Sequence, residues 1–222
     1  MSVLVYRDKS IAGAAAATLL AAQVIEKPMS VLGLDYSEDI VPVYRALARM
    51  TADGLLDWSD ITAFALSEHV RADGAQSIAS RMQTLFYEHV NLDAGRRFTP
   101  DAEAADWSVA CTDYEDGILR AGGIDLTFLA VGPDGSIAYN VGAPELAPVT
   151  HVERTQDGRV VTVGLGTVMG AQKIVAYLVG GDKAAMAGQI LNGPVTPQVP
   201  ATYLQLHANV VFLLDEAAAA QL

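Results

Sequence analysis

Two short clusters gather the polar side chains that could move protons. Ser67-Glu68-His69 directly follows the apolar run Ile61–Leu66, and Asp134-Gly135-Ser136 sits in the turn after the apolar run Ile124–Val131. In α/β proteins, turns at the carboxyl ends of such runs are where chemistry is usually placed. On one reading Glu68 is a carboxylate base and His69 its proton shuttle. On the other, Glu68 is structural and His69 fills space, because adjacent residues on an extended segment point apart. Asp134 reads either as a base or as a carboxylate bonded to turn amides. Ser67 and Ser136 need a base beside them before either hydroxyl can abstract a proton. A third cluster, Asp35-Tyr36-Ser37-Glu38-Asp39, combines three acids with a hydroxyl. It suits a cationic amino group or bulk solvent, and its spacing is not that of a metal motif. Lys183 opens a helix, where its charge opposes the dipole, so a ligand role stands level with an inherited one. The candidate catalytic groups are therefore Glu68, His69 and Asp134. The candidate ligand contacts are Asp35, Ser37, Ser67, Gly135, Ser136 and Lys183, and neither a metal nor a cofactor is expected.

These residues must be positioned by alternating strands and helices. Residues 2–7, 29–34, 61–66, 124–131, 159–165, 173–180 and 209–215 read as strands, most of them continuously apolar. Helix-period segments fall at Ile11–Val24, Val41–Thr51, Ala75–His89 and Pro100–Arg120, the last opened by Asp101. Shorter helices start at Thr167 and Asp182, and an alanine-rich helical tail closes the chain. Residues 142–159 read as a loop. Near-continuous apolar strands between helices predict a doubly wound, mostly parallel sheet covered on both faces, in one α/β domain spanning 1–222. The strands at 29–34, 60–66 and 124–131 should lie parallel, with Ser67 and Asp134 on one rim.

Composition narrows the partners. A formal charge of −12 argues against nucleic acid and anionic membranes. The alanine run at 11–22 follows a strand-like segment and ends at Gln23, Glu26 and Lys27, so it reads as a helix packed on a sheet rather than a leader. One cysteine, Cys111, forms no internal disulfide and fits a reducing, cytoplasmic setting as a packed thiol. His89 and His151 read as surface residues, His207 as structural, and Trp58 and Trp107 as packing residues.

Several segments, in one order along the chain, resemble the glucosamine-6-phosphate deaminase/isomerase family, related to 6-phosphogluconolactonases. They are VLGL (31–34) with VYRALARM (43–50), GLLDWSDITAF (54–64), GGIDLTFLAVGPDGSIAYN (122–140), VTVGLGTVMGAQKIVAYLVGGDKAAMAGQILNGPV (161–195) and LQLHANVVFLLDEAAA (204–219). The resemblance implies the family's α/β fold, a site at the carboxyl ends of the strands, and an amino-sugar phosphate substrate. It also implies where the chain departs from the family. Ser67 stands at the family's base, Ser136 at its ring-opening histidine and Val141 at the glutamate partnering that histidine, while Asp134 is kept. Lys183 stands at a phosphate-contacting lysine. Asp35, Glu38 and Asp39 replace a phosphate-cradling Thr-Gly-Ser-Thr-Pro loop, the segment carrying a phosphate-binding arginine is missing from 142–159, and His151 and Glu153 stand where an effector site has basic residues. The expectation is a divergent member without the standard deaminase activity. It would hold a small carbohydrate-like ligand, either as a binding or regulatory homologue or as an isomerase for an unphosphorylated or amino-bearing sugar. A homo-oligomer is compatible with the sequence. The three acids are expected to line the pocket mouth with a negative field that Lys183 alone does not cancel.

Overall fold

A computed structural model of the protein describes residues 1–70, 76–156 and 158–222. Seven strands form a parallel sheet: β1 (Ser2–Tyr6), β2 (Val31–Leu34), β3 (Thr62–Ala65), β5 (Arg97–Phe98), β6 (Leu126–Ala130), β9 (Lys173–Leu178) and β10 (Val210–Asp215), in the order β1-β10-β9-β6-β2-β3-β5. Side chains on each strand alternate between two apolar layers. On β9, Val175 and Tyr177 join a layer shared with α1 (Lys9–Glu26), α2 (Val41–Ala52) and α3 (Ile78–Leu85). Its Ile174, Ala176 and Leu178 join the opposite layer, with α4 (Trp107–Arg120), α5 (Leu165–Met169) and α6 (Ala184–Asn192). Burial on both faces explains why these strands are apolar throughout. The doubly wound parallel sheet is therefore present, and the strands at 31–34, 62–65 and 126–130 pair in parallel as expected.

Helix starts follow local capping. Asp8 accepts a hydrogen bond from the Ile11 amide at 3.0 Å and sets the alanine-rich α1 in motion. The helix expected from Pro100 begins only at Trp107. Asp106 takes the Ser108 and Val109 amides, while Asp101 instead closes a turn onto the Glu103 amide. The helix expected over 75–89 spans Ile78–Leu85 and ends in a 3-10 turn at Tyr87–His89; Ala75 lies outside the described residues. The helix expected from Asp182 is a 3-10 turn at Gly181–Lys183 leading into α6, and α5 starts at Leu165 rather than Thr167. The tail after Asp215 forms turns rather than a helix.

A second, antiparallel sheet takes the strand expected at 159–165 out of the parallel sheet and pairs it with two strands the sequence does not signal. It contains β4 (Ser67–His69), β8 (Gly158–Thr162) and β7 (His151–Thr155), and β7 lies inside the stretch expected to be loop. Leu66 links the sheets: its amide donates to Leu34 of β2, and its carbonyl accepts from Val163 after β8. The chain thus steps from β3 straight into β4 and carries Ser67, Glu68 and His69 past the carboxyl rim of the parallel sheet. Among the described residues no helix is long and apolar enough to cross a membrane.

Candidate active site at the carboxyl rim

Strand order places the site. From β2 the chain runs outward through β3 and β5, then returns to β6 on the other side of β2. The connections after β2 and β6 therefore diverge, leaving a crevice at the carboxyl ends of these strands. A cavity of about 270 Å³ lies there, lined by Asp35, Ser37, Asp39, Ser136, Tyr139 and Lys183 among others. Asp35, the first residue after β2, is 4% exposed. Its carboxyl oxygens accept from the Tyr36 amide at 2.8 Å and the Ala130 amide at 3.1 Å. Burial raises its pKa to about 7 against the opposing pull of those two amides. A carboxyl balanced between its two forms near neutrality can take up or give a proton. Ser37 also lines the cavity, with a shielded hydroxyl that has no partner among the described residues.

The expected negative field is largely neutralised. Asp39 bridges two ammonium groups, Lys9 Nζ at 2.5 Å and Lys183 Nζ in a short contact. Lys183 is buried, Lys9 opens α1, and Asp39 lies just before α2. Burial works to raise the Asp39 carboxyl, but the hydrogen bonds from Lys183 and Lys9 outweigh it and hold the group below the usual carboxylate range. Glu38 is paired with Arg81 at 3.2 Å and accepts from the Tyr36 hydroxyl at 2.9 Å. From sequence, Lys183 alone faces these acids. The fold supplies Lys9 and Arg81 from elements distant along the chain.

The opposite wall is the turn after β6. Asp134 Oδ1 accepts from the Ser136 amide at 3.0 Å and from its hydroxyl at 2.5 Å, so Asp134 orients Ser136. Gly135 has φ +77°, and an added Cβ would meet Val199 at 2.4 Å. It closes the turn against the core and does not line the cavity. Next, Ile137 and Asn140 exchange both backbone hydrogen bonds around Ala138 (φ 46°) and Tyr139 (φ 59°). Two consecutive non-glycine residues at positive φ make a strained primed turn, at a cost of about 1–3 kcal/mol per residue. The Asn140 amide group holds it by donating to the carbonyls of Ile137 at 3.0 Å and Val163 at 2.9 Å. The strained turn brings the Tyr139 hydroxyl to within 3.1 Å of His69 Nε2, with the rings edge to face. Tyr139 is not among the residues singled out from sequence; the signal is an aromatic residue three positions after Ser136.

Other candidates are engaged elsewhere. Glu68 accepts from the amides of His69, Ile78 and Ala79, each at 2.8 Å, and from the Ser77 hydroxyl at 3.1 Å. Its carboxylate thus caps the start of α3. The buried Ser67 hydroxyl has no partner among the described residues and does not line the cavity. His207 accepts from the Asn209 amide through Nδ1, leaving Nε2 to donate to the Ala171 carbonyl, a structural bracket. Cys111 packs with Val70, Ala102 and Val161, and burial raises its thiol pKa. Trp58 is fully buried, with its indole N–H on Thr51. Among the described residues no group of three His, Cys, Asp or Glu is placed to hold a metal.

A family model described as glucosamine-6-phosphate isomerases/6-phosphogluconolactonase matches residues 38–213. Glucosamine-6-phosphate deaminase of Arthrobacter sp. (strain FB24) is 36% identical, with 100% of this chain and 93% of the relative covered. That of Halothermothrix orenii is 34% identical, with both chains covered completely. Among solved structures, a monomeric glucosamine-6-phosphate deaminase superposes with a TM-score of 0.94 at 26% identity, covering 100% of both chains. The 6-phosphogluconolactonase of Trypanosoma brucei, 19% identical over 100% of this chain and 98% of its own, shares the fold with a TM-score of 0.78. The chain belongs to the glucosamine-6-phosphate isomerase/6-phosphogluconolactonase family.

Proposed function

We propose that the protein binds an unphosphorylated, carbohydrate-like ligand in the strand-end cavity and lacks the standard deaminase activity of its relatives. The Lys9–Asp39–Lys183 bridge carries this reading. An incoming phosphate dianion would need both ammonium groups, yet a carboxylate already holds them and would repel the newcomer at close range. That like-charge contact at about 4 Å costs on the order of 1–4 kcal/mol, which offsets one of the two ammonium attractions. The proton-handling groups point the same way. The position that the resemblance gives to a catalytic base is Ser67, whose hydroxyl is buried away from the cavity.

A second reading, an isomerase of altered specificity for an unphosphorylated or amino-bearing sugar, draws support from Asp35 and from the His69–Tyr139 pair. Together they put proton-transfer groups on the rim without the family's own set. Calorimetry with glucosamine and glucosamine 6-phosphate, alongside an assay for fructose 6-phosphate and ammonia, tests both readings. The expected outcome is weaker binding of the phosphate form and no deaminase turnover. Tighter binding of the phosphate form that weakens with Lys183→Ala, or turnover above about one per second, overturns the main reading.

A further inference from the structure

A wider groove lies beside the strand-end cavity, between α2 and α3, with a volume of about 980 Å³. Arg45 and Arg49 stand one helical turn apart on α2 and Arg81 on α3, and all three line it. Arg45 and Arg49 are exposed, and neither guanidinium makes an ion pair or hydrogen bond among the described residues. Arg81 reaches Glu38 and the Tyr36 hydroxyl through Nη1, while its Nε is shielded from solvent with no acceptor among the described residues. Among the described residues, Glu38 is the one carboxylate lining the groove. The chain carries 14 lysines and arginines against 26 acids, so three guanidinium groups around one hollow run against its overall balance. Like charges one turn apart on a helix repel. A ligand that accepts from both would relieve that repulsion.

We propose that this groove binds a small polyanion of the polyphosphate class, held by Arg45, Arg49 and Arg81 with the Ser80 and Thr84 hydroxyls beside them. Guanidinium forks match phosphate oxygens in pairs, which a lysine ammonium cannot do. The volume suits a molecule the size of a nucleotide or sugar diphosphate. The net charge of −12 disfavours a nucleic-acid strand. Tyr36 lines both this groove and the strand-end cavity, so a polyanion competing for Arg81 would act on a wall shared by the two sites.

The site does not depend on what the strand-end cavity holds, and the test keeps the two apart. Pyrophosphate is titrated calorimetrically into the full chain at physiological salt. Saturable binding is expected that weakens about tenfold or more in Arg45→Ala/Arg49→Ala, the loss of one charge-assisted contact or more. Both side chains are exposed, so the variant should fold normally. Glu38→Gln, which removes the competing carboxylate, should tighten binding, and Lys183→Ala should leave it unchanged. No binding at about 10 mM, weaker than any useful affinity, overturns the proposal, as does tighter binding of a glutamate oligopeptide. Loss in Lys183→Ala with the arginine variant unaffected places the anion in the strand-end cavity, which overturns this proposal and the reading of that cavity together.

Discussion

Asp35 has the most consequential environment of any single residue. Its carboxyl is raised to about 7 because it is buried after β2, between the Tyr36 and Ala130 amides. In the unfolded chain the same group titrates near the ordinary aspartate value, about 3.9. Between these values the unfolded chain gives up a proton that the folded protein keeps. Stability from this residue is therefore fully present below the unfolded value and lost as pH rises through about 7. The swing is on the order of 4 kcal/mol. Asp35→Asn should flatten the decline in melting temperature between pH 5 and pH 8. It should also lower stability at pH 5, since an amide NH₂ would face one of the two backbone N–H groups. An unchanged slope would mean that Asp35 titrates normally. Sequence singled out Asp35 as a ligand contact but could not show its burial, which depends on β6 lying alongside. The partners of Asp39 and Glu38 were equally hidden, since Lys9 and Arg81 lie 30 and 43 residues away.

Among the elements, the apolar runs were legible because parallel strands buried on both faces leave no room for polar residues. Short or polar elements were not. β5 has two residues, β4 is the polar triplet Ser67–His69, and β7 reads His-Val-Glu-Arg-Thr without an apolar run. The alanine-rich tail failed the other way. Asp215 draws the Ala218 amide into a turn at 2.9 Å, and the residues that follow continue as turns. Glu68 joins two of the illegible elements, since it lies on β4 and takes the first amides of α3. Glu68→Ala should destabilise the protein by about 2–4 kcal/mol, by leaving the buried Ile78 amide and its neighbour unpaired. Glu68→Gln should recover part of that loss. Urea unfolding measures both, and an alanine variant as stable as the parent would remove Glu68 from the cap.

Across the whole molecule, the parallel sheet joins segments that are remote along the chain. β1 sits at its edge with Val3, Leu4 and Val5 exposed, and among the described residues it pairs with β10 alone, Ser2 opposite Val211 and Tyr6 opposite Asp215. The layer holding α1 also needs Leu213 of β10. Long-range pairings of this kind carry the loop-closure cost that slows folding. The direction of synthesis adds a further constraint. A nascent chain on the ribosome exposes β1 long before β10, its neighbour in the sheet, has been made. Until residues 210–215 leave the exit tunnel, an apolar strand edge stays open to neighbouring chains. Ribosome-stalled chains ending before Val210 should therefore remain protease-sensitive at residues 2–26. Chains stalled well beyond Leu222 on an added linker should become resistant, and protection of the shorter ones would show that β1 docks without β10.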